Sequence, residues 1–388
     1  MNKNILSVIL VILSLFFSAC GNNKDEQADN QGISHHASWP IFRGDKEFTG
    51  VAKGHVPDKP GLLWTFKTGY SIQSSPVIGQ GNVYIGSNDG FIYALNLKDG
   101  SLKWKYDTSN DVEAPPLLVD STLFVGSVGG EFLALDAING RLKWNYKTKG
   151  QIHGSANWVY APDDINKWIL VGSYDNLMYC FEAVTGKLIW TYETGYYING
   201  APVSDGENII FGGCDAIVHV VSALNGKKVA EIEAGSYIAG SAALSDGKAY
   251  LGHYGDKLIC VDLHAQKILW EYGDEKEGGA FFSSPAVNDK YVVIGCRDCL
   301  VHCVNKENGK GVWKFRTRDD VDSSPVICGD RVIMGSGDGR IYMLDMNSGS
   351  ERWSYEIGSA ISSSPAISDG KIVVGAEDGF VYMFGELL

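Results

Sequence analysis

An all-β fold, a ring of eight four-stranded antiparallel blades forming a β-propeller, is predicted by three observations on this 388-residue chain. A block of about forty residues recurs eight times from residue 62 onward, marked by a small-residue doublet before Pro76, Pro116, Ala156, Pro202, Ala242, Pro285, Pro325 and Pro365. A tryptophan column follows the same period through Trp64, Trp104, Trp144, Trp190, Ala230, Trp270, Trp313 and Trp353, with one member replaced by alanine. The eighth block has no fourth strand after Pro365, whereas Trp64 has no block in front of it. A first strand that completes the last repeat closes a ring, and four short strands per forty-residue period is the propeller signature.

Taken in chain order, residues 1–20 read as a targeting signal. Lys3 supplies the positive start, Ile5 to Phe17 is an apolar run short for a membrane span, and Ser18-Ala19-Cys20-Gly21 resembles a bacterial lipobox. Cleavage before Cys20 and lipidation of its thiol are therefore expected, tethering the mature protein to a membrane. Residues 21–38 are polar and poor in large apolar groups, as in a flexible tether. Within them, Lys24-Asp25-Glu26 resembles the acidic export signal of surface-displayed lipoproteins. Residues 39–388 are expected to form a single propeller, since stacked repeats bury one continuous core.

Each block resolves into the same four segments. In the first they are Ser74 to Ile78, Val83 to Gly86, Phe91 to Leu95 and Leu102 to Tyr106, rich in β-branched and aromatic residues and separated by Gly, Asn and Asp. The Asn88-Asp89-Gly90 turn recurs as Gly337-Asp338-Gly339 and Glu377-Asp378-Gly379, where Gly accepts the positive φ of a tight hairpin. Nothing in the repeats reads as a helix.

Function classes narrow from charge and register. A net charge of −13 leaves no basic stripe to neutralise phosphates, so nucleic acid is not an expected partner. Four positions before each Pro or Ala marker, the chain reads Ile72, Val112, Ile152, Ile198, Ile238, Phe281, Val321 and Ile361, and the next residue reads Gln73, Glu113, His153, Asn199, Ala239, Phe282, Asp322 and Ser362. Strand alternation puts the apolar column between blades and the second column at one mouth of the central channel. Gln73, Glu113, His153, Asn199, Asp322 and Ser362 then form a polar arc, either a ligand or cation site or a wet funnel. The serine doublets carry no nucleophile motif, and small size is expected where eight strands crowd one axis.

The aromatics Trp158, Tyr160 and Trp168, in or beside an insertion at Asn157 to Lys167, and Tyr196 with Tyr197 before the fourth block, lie outside the repeat pattern. Beside His153 they form a candidate partner surface; core packing under a folded loop is the other reading. Cys296 and Cys299 flank a turn and form a candidate disulfide or dithiol in an exported protein. No metal site is expected: alternation does not aim Cys299, His302 and Cys303 at a common point.

The segment Ala134-Leu135-Asp136-Ala137-Ile138-Asn139-Gly140-Arg141-Leu142-Lys143-Trp144, kept in part by seven of the blocks, resembles the tryptophan-docking motif of quinoprotein (PQQ-dependent) alcohol dehydrogenase propellers. Trp39 to Asp45 resembles the lead-in of the same superfamily. The resemblance implies that each Trp packs against the peptide and Gly of a neighbouring blade. The enzymes of that superfamily carry long insertions and an adjacent Cys-Cys pair; this chain has no such pair and its largest insertion is six residues. It is more similar in organisation to the BamB-type lipoproteins of outer-membrane β-barrel assembly. That implies a monomeric, non-enzymatic scaffold without cofactor, anchored in the bacterial cell envelope, at the outer membrane, and holding another envelope protein. The alternative is a small-molecule or glycan binder, or a degenerate quinoprotein holding PQQ and calcium at the mouth.

Overall fold

Val, Ile and aromatic residues between Gly/Asp turns form strands throughout the computed structural model, which describes residues 38–273 and 278–387. The signal, Cys20 and all of the tether but Ser38 lie outside the described residues. The strands assemble into eight sheets. In the first blade the order runs Val77–Gly79, Asn82–Gly86, Phe91–Asn96 and Leu102–Asp107 from the channel outward, all antiparallel. The eighth blade takes its outermost strand from Gly61–Lys67, which pairs with Phe380–Gly385 and places Trp64 where the other blades hold theirs. The ring closes as the repeat count requires.

Two glycine columns explain how neighbouring blades seat. The glycine at or next to the end of each second strand (Gly86, Gly126, Gly172, Gly212, Gly252, Gly295, Gly335, Gly375) is a socket: a Cβ there would collide with the apolar residue of the next blade, from Val112 onward to Ile72 across the closure. Those apolar residues are fully buried, each contributing about 1.5–3 kcal/mol. The second column seats the tryptophans. Trp104 Nε1 donates to the Ala137 carbonyl at 3.0 Å, and a Cβ on Gly140 would stand 2.7 Å from the indole. The contact recurs for Trp64, Trp144, Trp190, Trp270 and Trp313, with bulges before each Trp that turn the indole toward its neighbour.

The serine doublets do more than fit a crowded axis. The backbone N–H of Ala201, Ser241, Ser284, Ser324 and Ser364 donates to the hydroxyl of Ser241, Ser284, Ser324, Ser364 and Ser75 respectively, at 2.9–3.0 Å. Inner strands too far apart to pair directly are thus tied by side chains.

The lead-in settles the other end of the channel. Trp39 bridges Ile78, and the Pro40, Lys46, Glu47, Thr49 and Gly50 carbonyls accept from Leu118, Ser204, Leu244, Val287 and Ile327 in blades two, four, five, six and seven. Val51–Ala52 then adds a parallel fifth strand to blade seven. Free inner strand edges are thereby covered by the chain itself. Arg43, buried and at φ 66°, donates to the carbonyls of Ser324, Pro285 and Pro325. Burial pushes its guanidinium down to about 9, against the opposing charge of Asp45.

Candidate functional site

All eight residues of the predicted mouth column line one cavity of about 330 Å³, with Phe42 of the lead-in reaching it from the sealed side. Each inner strand begins just after its column residue, so the ring geometry converges these side chains on the axis. The polar ones are hydrogen-bonded, several of them across blades. His153 Nδ1 lies 2.7 Å from Glu113 Oε2 and its Nε2 lies 2.9 Å from Gln151 Oε1. Arg297 holds Asp322 through two bonds of 2.8 Å and lies over the Phe282 ring at 4.1 Å. Its hydrogen bonds to Asp322 outweigh burial and hold the guanidinium above its ordinary value. Asn199 accepts from the Tyr174 hydroxyl and donates to the Ala239 carbonyl. Burial, with Cys214 and Glu113 nearby, pushes Tyr174 up to about 12, so it stays a neutral donor. Gln73 and Ser362 meet Asn88 and Glu377 at the rim.

The predicted aromatic surface does not hold together. Every inner strand runs away from the mouth, so the Asn157–Tyr160 to Lys167–Gly172 hairpin turns at the sealed end. There Trp158 lies under Lys46 and Lys167 at 4.8 and 4.9 Å, and Trp158 and Trp168 are half-buried against the core. Tyr160 is exposed beside them. Tyr196 and Tyr197 sit at the opposite, mouth end. Tyr197 stacks on Tyr174 at 4.9 Å, and Tyr174 meets the His153 ring at a tilt, 4.5 Å between centroids.

The mouth end carries further aromatics that sequence reasoning missed. Tyr237 repeats the position of Tyr197 one blade on and is 59% exposed; Tyr254, whose N–H donates to the Tyr237 carbonyl, is 42% exposed and meets Phe282 edge-on. The signal was available, because Tyr237 occupies the residue before the apolar column, as Tyr197 does. Tyr196, Tyr197, Tyr237, Tyr254 and Phe282 form an aromatic crescent opposite the polar arc.

The seven described cysteines are free thiols, so of the two readings of Cys296 and Cys299, disulfide or dithiol, the disulfide is not formed here. Cys296 ends a strand with Sγ turned inward, 3.0 Å from the Gly279 carbonyl, whereas Cys299 occupies the left-handed turn position at φ 65°. Nor do Cys299, His302 and Cys303 cluster. Among the described residues, the group within one metal's reach is Cys296, Asp298 and His302, in the mouth-end turn of blade six but lining a second cavity rather than the mouth cavity.

The sequence matches the family described as "Outer membrane protein assembly factor BamB" over residues 52–165, 165–272, 214–360 and 297–385. No curated protein matches it. Among solved structures, BamB from Moraxella catarrhalis is similar with a TM-score of 0.70 at 16% identity, covering 84% of this chain and all of that one. A europium-containing methanol dehydrogenase aligns with a TM-score of 0.75 at 13% identity over 90% of this chain and 98% of its own. A quinohemoprotein alcohol dehydrogenase from Comamonas testosteroni gives 0.74 at 13% over 91% and 81%. At these identities the structural likenesses establish the propeller fold.

Proposed function

The chain belongs to the family described as outer membrane protein assembly factor BamB, and from that premise we propose that it is a non-enzymatic scaffold that holds another cell-envelope protein during outer-membrane protein assembly. A lipid on Cys20 would hold the ring at the membrane. The observation that carries this reading beyond kinship is the exposed crescent at the mouth end, where Tyr196, Tyr197 and Tyr237 are 49%, 39% and 59% exposed on rigid, inter-blade supports. Tyrosines with apolar faces and polar tips supply interface anchors at low entropic cost. Docking onto this face is favoured over strand addition in the channel, whose inner edges are covered by the lead-in.

The different-class reading is a small-molecule or glycan binder using the 330 Å³ cavity. PQQ with calcium does not fit the donors at that mouth. PQQ bears three carboxylates, whereas the cavity's arginine, Arg297, is already held by Asp322. Calcium requires six to eight converging oxygens, and the carboxylates lining the cavity, Glu113, Asp322 and Glu377, are held separately in blades two, seven and eight.

In intact cells, chemical crosslinking followed by mass spectrometry should recover an outer-membrane assembly protein. Combining Tyr196→Ala, Tyr197→Ala and Tyr237→Ala should cut that yield at least about tenfold while leaving thermal stability unchanged. Equal recovery from the triple variant would refute mouth-face docking; recovery of no envelope protein, together with saturable glycan binding, would establish the second reading.

A further inference from the structure

Blade six departs from its siblings at one place outside the mouth cavity. In blades one, three, seven and eight, the Asp of the second turn accepts from a tyrosine four residues on, as Asp89 does from Tyr93. Blades four and six carry histidine instead: His219 Nε2 faces Asp215, and His302 Nε2 faces Asp298 at 3.0 Å. In both, a tyrosine hydroxyl, Tyr192 or Tyr272, meets the ring's Nδ1 at 3.1 Å. Blade six then adds a third donor. The position filled by Ser87, Ser127, Ser173 and Ser336 in four blades, by Gly213 in blade four, His253 in blade five and Ala376 in blade eight, is Cys296.

The result is a thiol, a carboxylate and an imidazole whose donor atoms all lie within 4.8 Å of one another. Cys296 and His302 are buried, and Asp298 is half-buried at the wall of a cavity of about 570 Å³ that Lys314 and Arg316 also line. We propose that Cys296, Asp298 and His302 form a binding site for a single zinc-type divalent cation, with the fourth coordination position opening into this cavity.

The chemistry is consistent at each donor. One sulfur, one nitrogen and one oxygen with an open position is a zinc-like tetrahedral set, and closing donor separations of this size onto one ion takes side-chain shifts of about 1 Å. His302 would bind through Nε2 with its proton on Nδ1, donated to Tyr272 Oη, a partner that fixes the tautomer. Cys296 would release its thiol proton to solvent as the metal–sulfur bond forms. Burial holds that thiol above its ordinary range in the metal-free chain. Burial also raises the Asp298 carboxyl, but the hydrogen bond and charge of His302 outweigh it and leave it lowered, so the carboxylate is ready to bind. Lys314 and Arg316 fit a water or an anion as the fourth ligand.

The siblings supply variants that should fold. Cys296→Ser installs the residue of four other blades, and His302→Tyr installs the residue that pairs with Asp in four. Cobalt(II) titration of the full chain should give one equivalent of bound metal with thiolate-to-cobalt charge-transfer absorption, displaced by zinc. Each variant should lose that absorption and weaken zinc binding by at least about a hundredfold, with the metal-free melting temperature near that of the parent. His219→Tyr, altering the Cys-less site of blade four, should change neither. Absence of cobalt–thiolate absorption in the parent, or its persistence in both variants, would overturn the site.

Discussion

The two ends of the central channel are framed by the same inner strands and finished in opposite ways. At one end residues 39–52 run from blade to blade, exchanging backbone hydrogen bonds and burying Arg43 against three carbonyls. At the other, none of the described residues runs across the mouth as a strap, and side chains pair across blades in partial contact with water: Glu113 with His153, Arg297 with Asp322. Strand edges facing a narrow axis demand partners. Supplying them from one end with backbone leaves the other free to vary its side chains, and that is where a partner surface can be placed without cost to the ring.

Two arginines measure the difference. Arg43→Ala should destabilise the propeller by about 3 kcal/mol, since it strands buried carbonyls, lowering the chemical denaturation midpoint. Arg297→Ala should cost less than about 1 kcal/mol in the same assay, because its pair with Asp322 is partly solvated. Equal effects would break the contrast.

A smaller effect separates the ends by pH. The mouth-side turn of blade four is held by His219, which faces Asp215, Glu231, Lys228 and Tyr192. Burial lowers its pKa below 6.5, outweighing the carboxylates. The unfolded chain therefore binds this proton first as pH falls, so the stability from neutral His219 is full above about 6.5 and declines below it. His219→Tyr should flatten that decline in melting temperature between pH 7.5 and 5, and an unchanged slope would remove His219 from the account.

Much of this was legible because the repeat aligns positions. The Trp column, its closure through Trp64 and the mouth column all follow from register. The pairing of Trp with glycine is visible even in the exception: where Ala230 replaces Trp, the seat that is Gly100, Gly140, Gly186, Gly226, Gly309 and Gly349 elsewhere is Gln266, at φ 53°. With no indole to receive, the glycine is no longer required. Gln266→Gly should raise stability by about 0.5–1 kcal/mol by relieving the left-handed backbone. The rest depended on facts that a period does not carry. Trp158, Tyr160 and Trp168 were grouped with Tyr196 and Tyr197 because they are close in sequence, yet a hairpin and a blade-to-blade loop lie at opposite ends of their strands. Cys296 and Cys299 are separated by a turn that points one inward and places the other at its left-handed corner. The lead-in repeats nothing, so its role in sealing the channel has no signature in the chain.

The most direct test places a photo-crosslinking phenylalanine at Tyr237, on the mouth end, or at Tyr160, on the sealed end, in otherwise unaltered protein in living cells. Capture of an outer-membrane assembly protein from position 237 and none from position 160 is the predicted result. Capture from 160 alone would assign the partner to the sealed face and contradict the division of labour between the two ends.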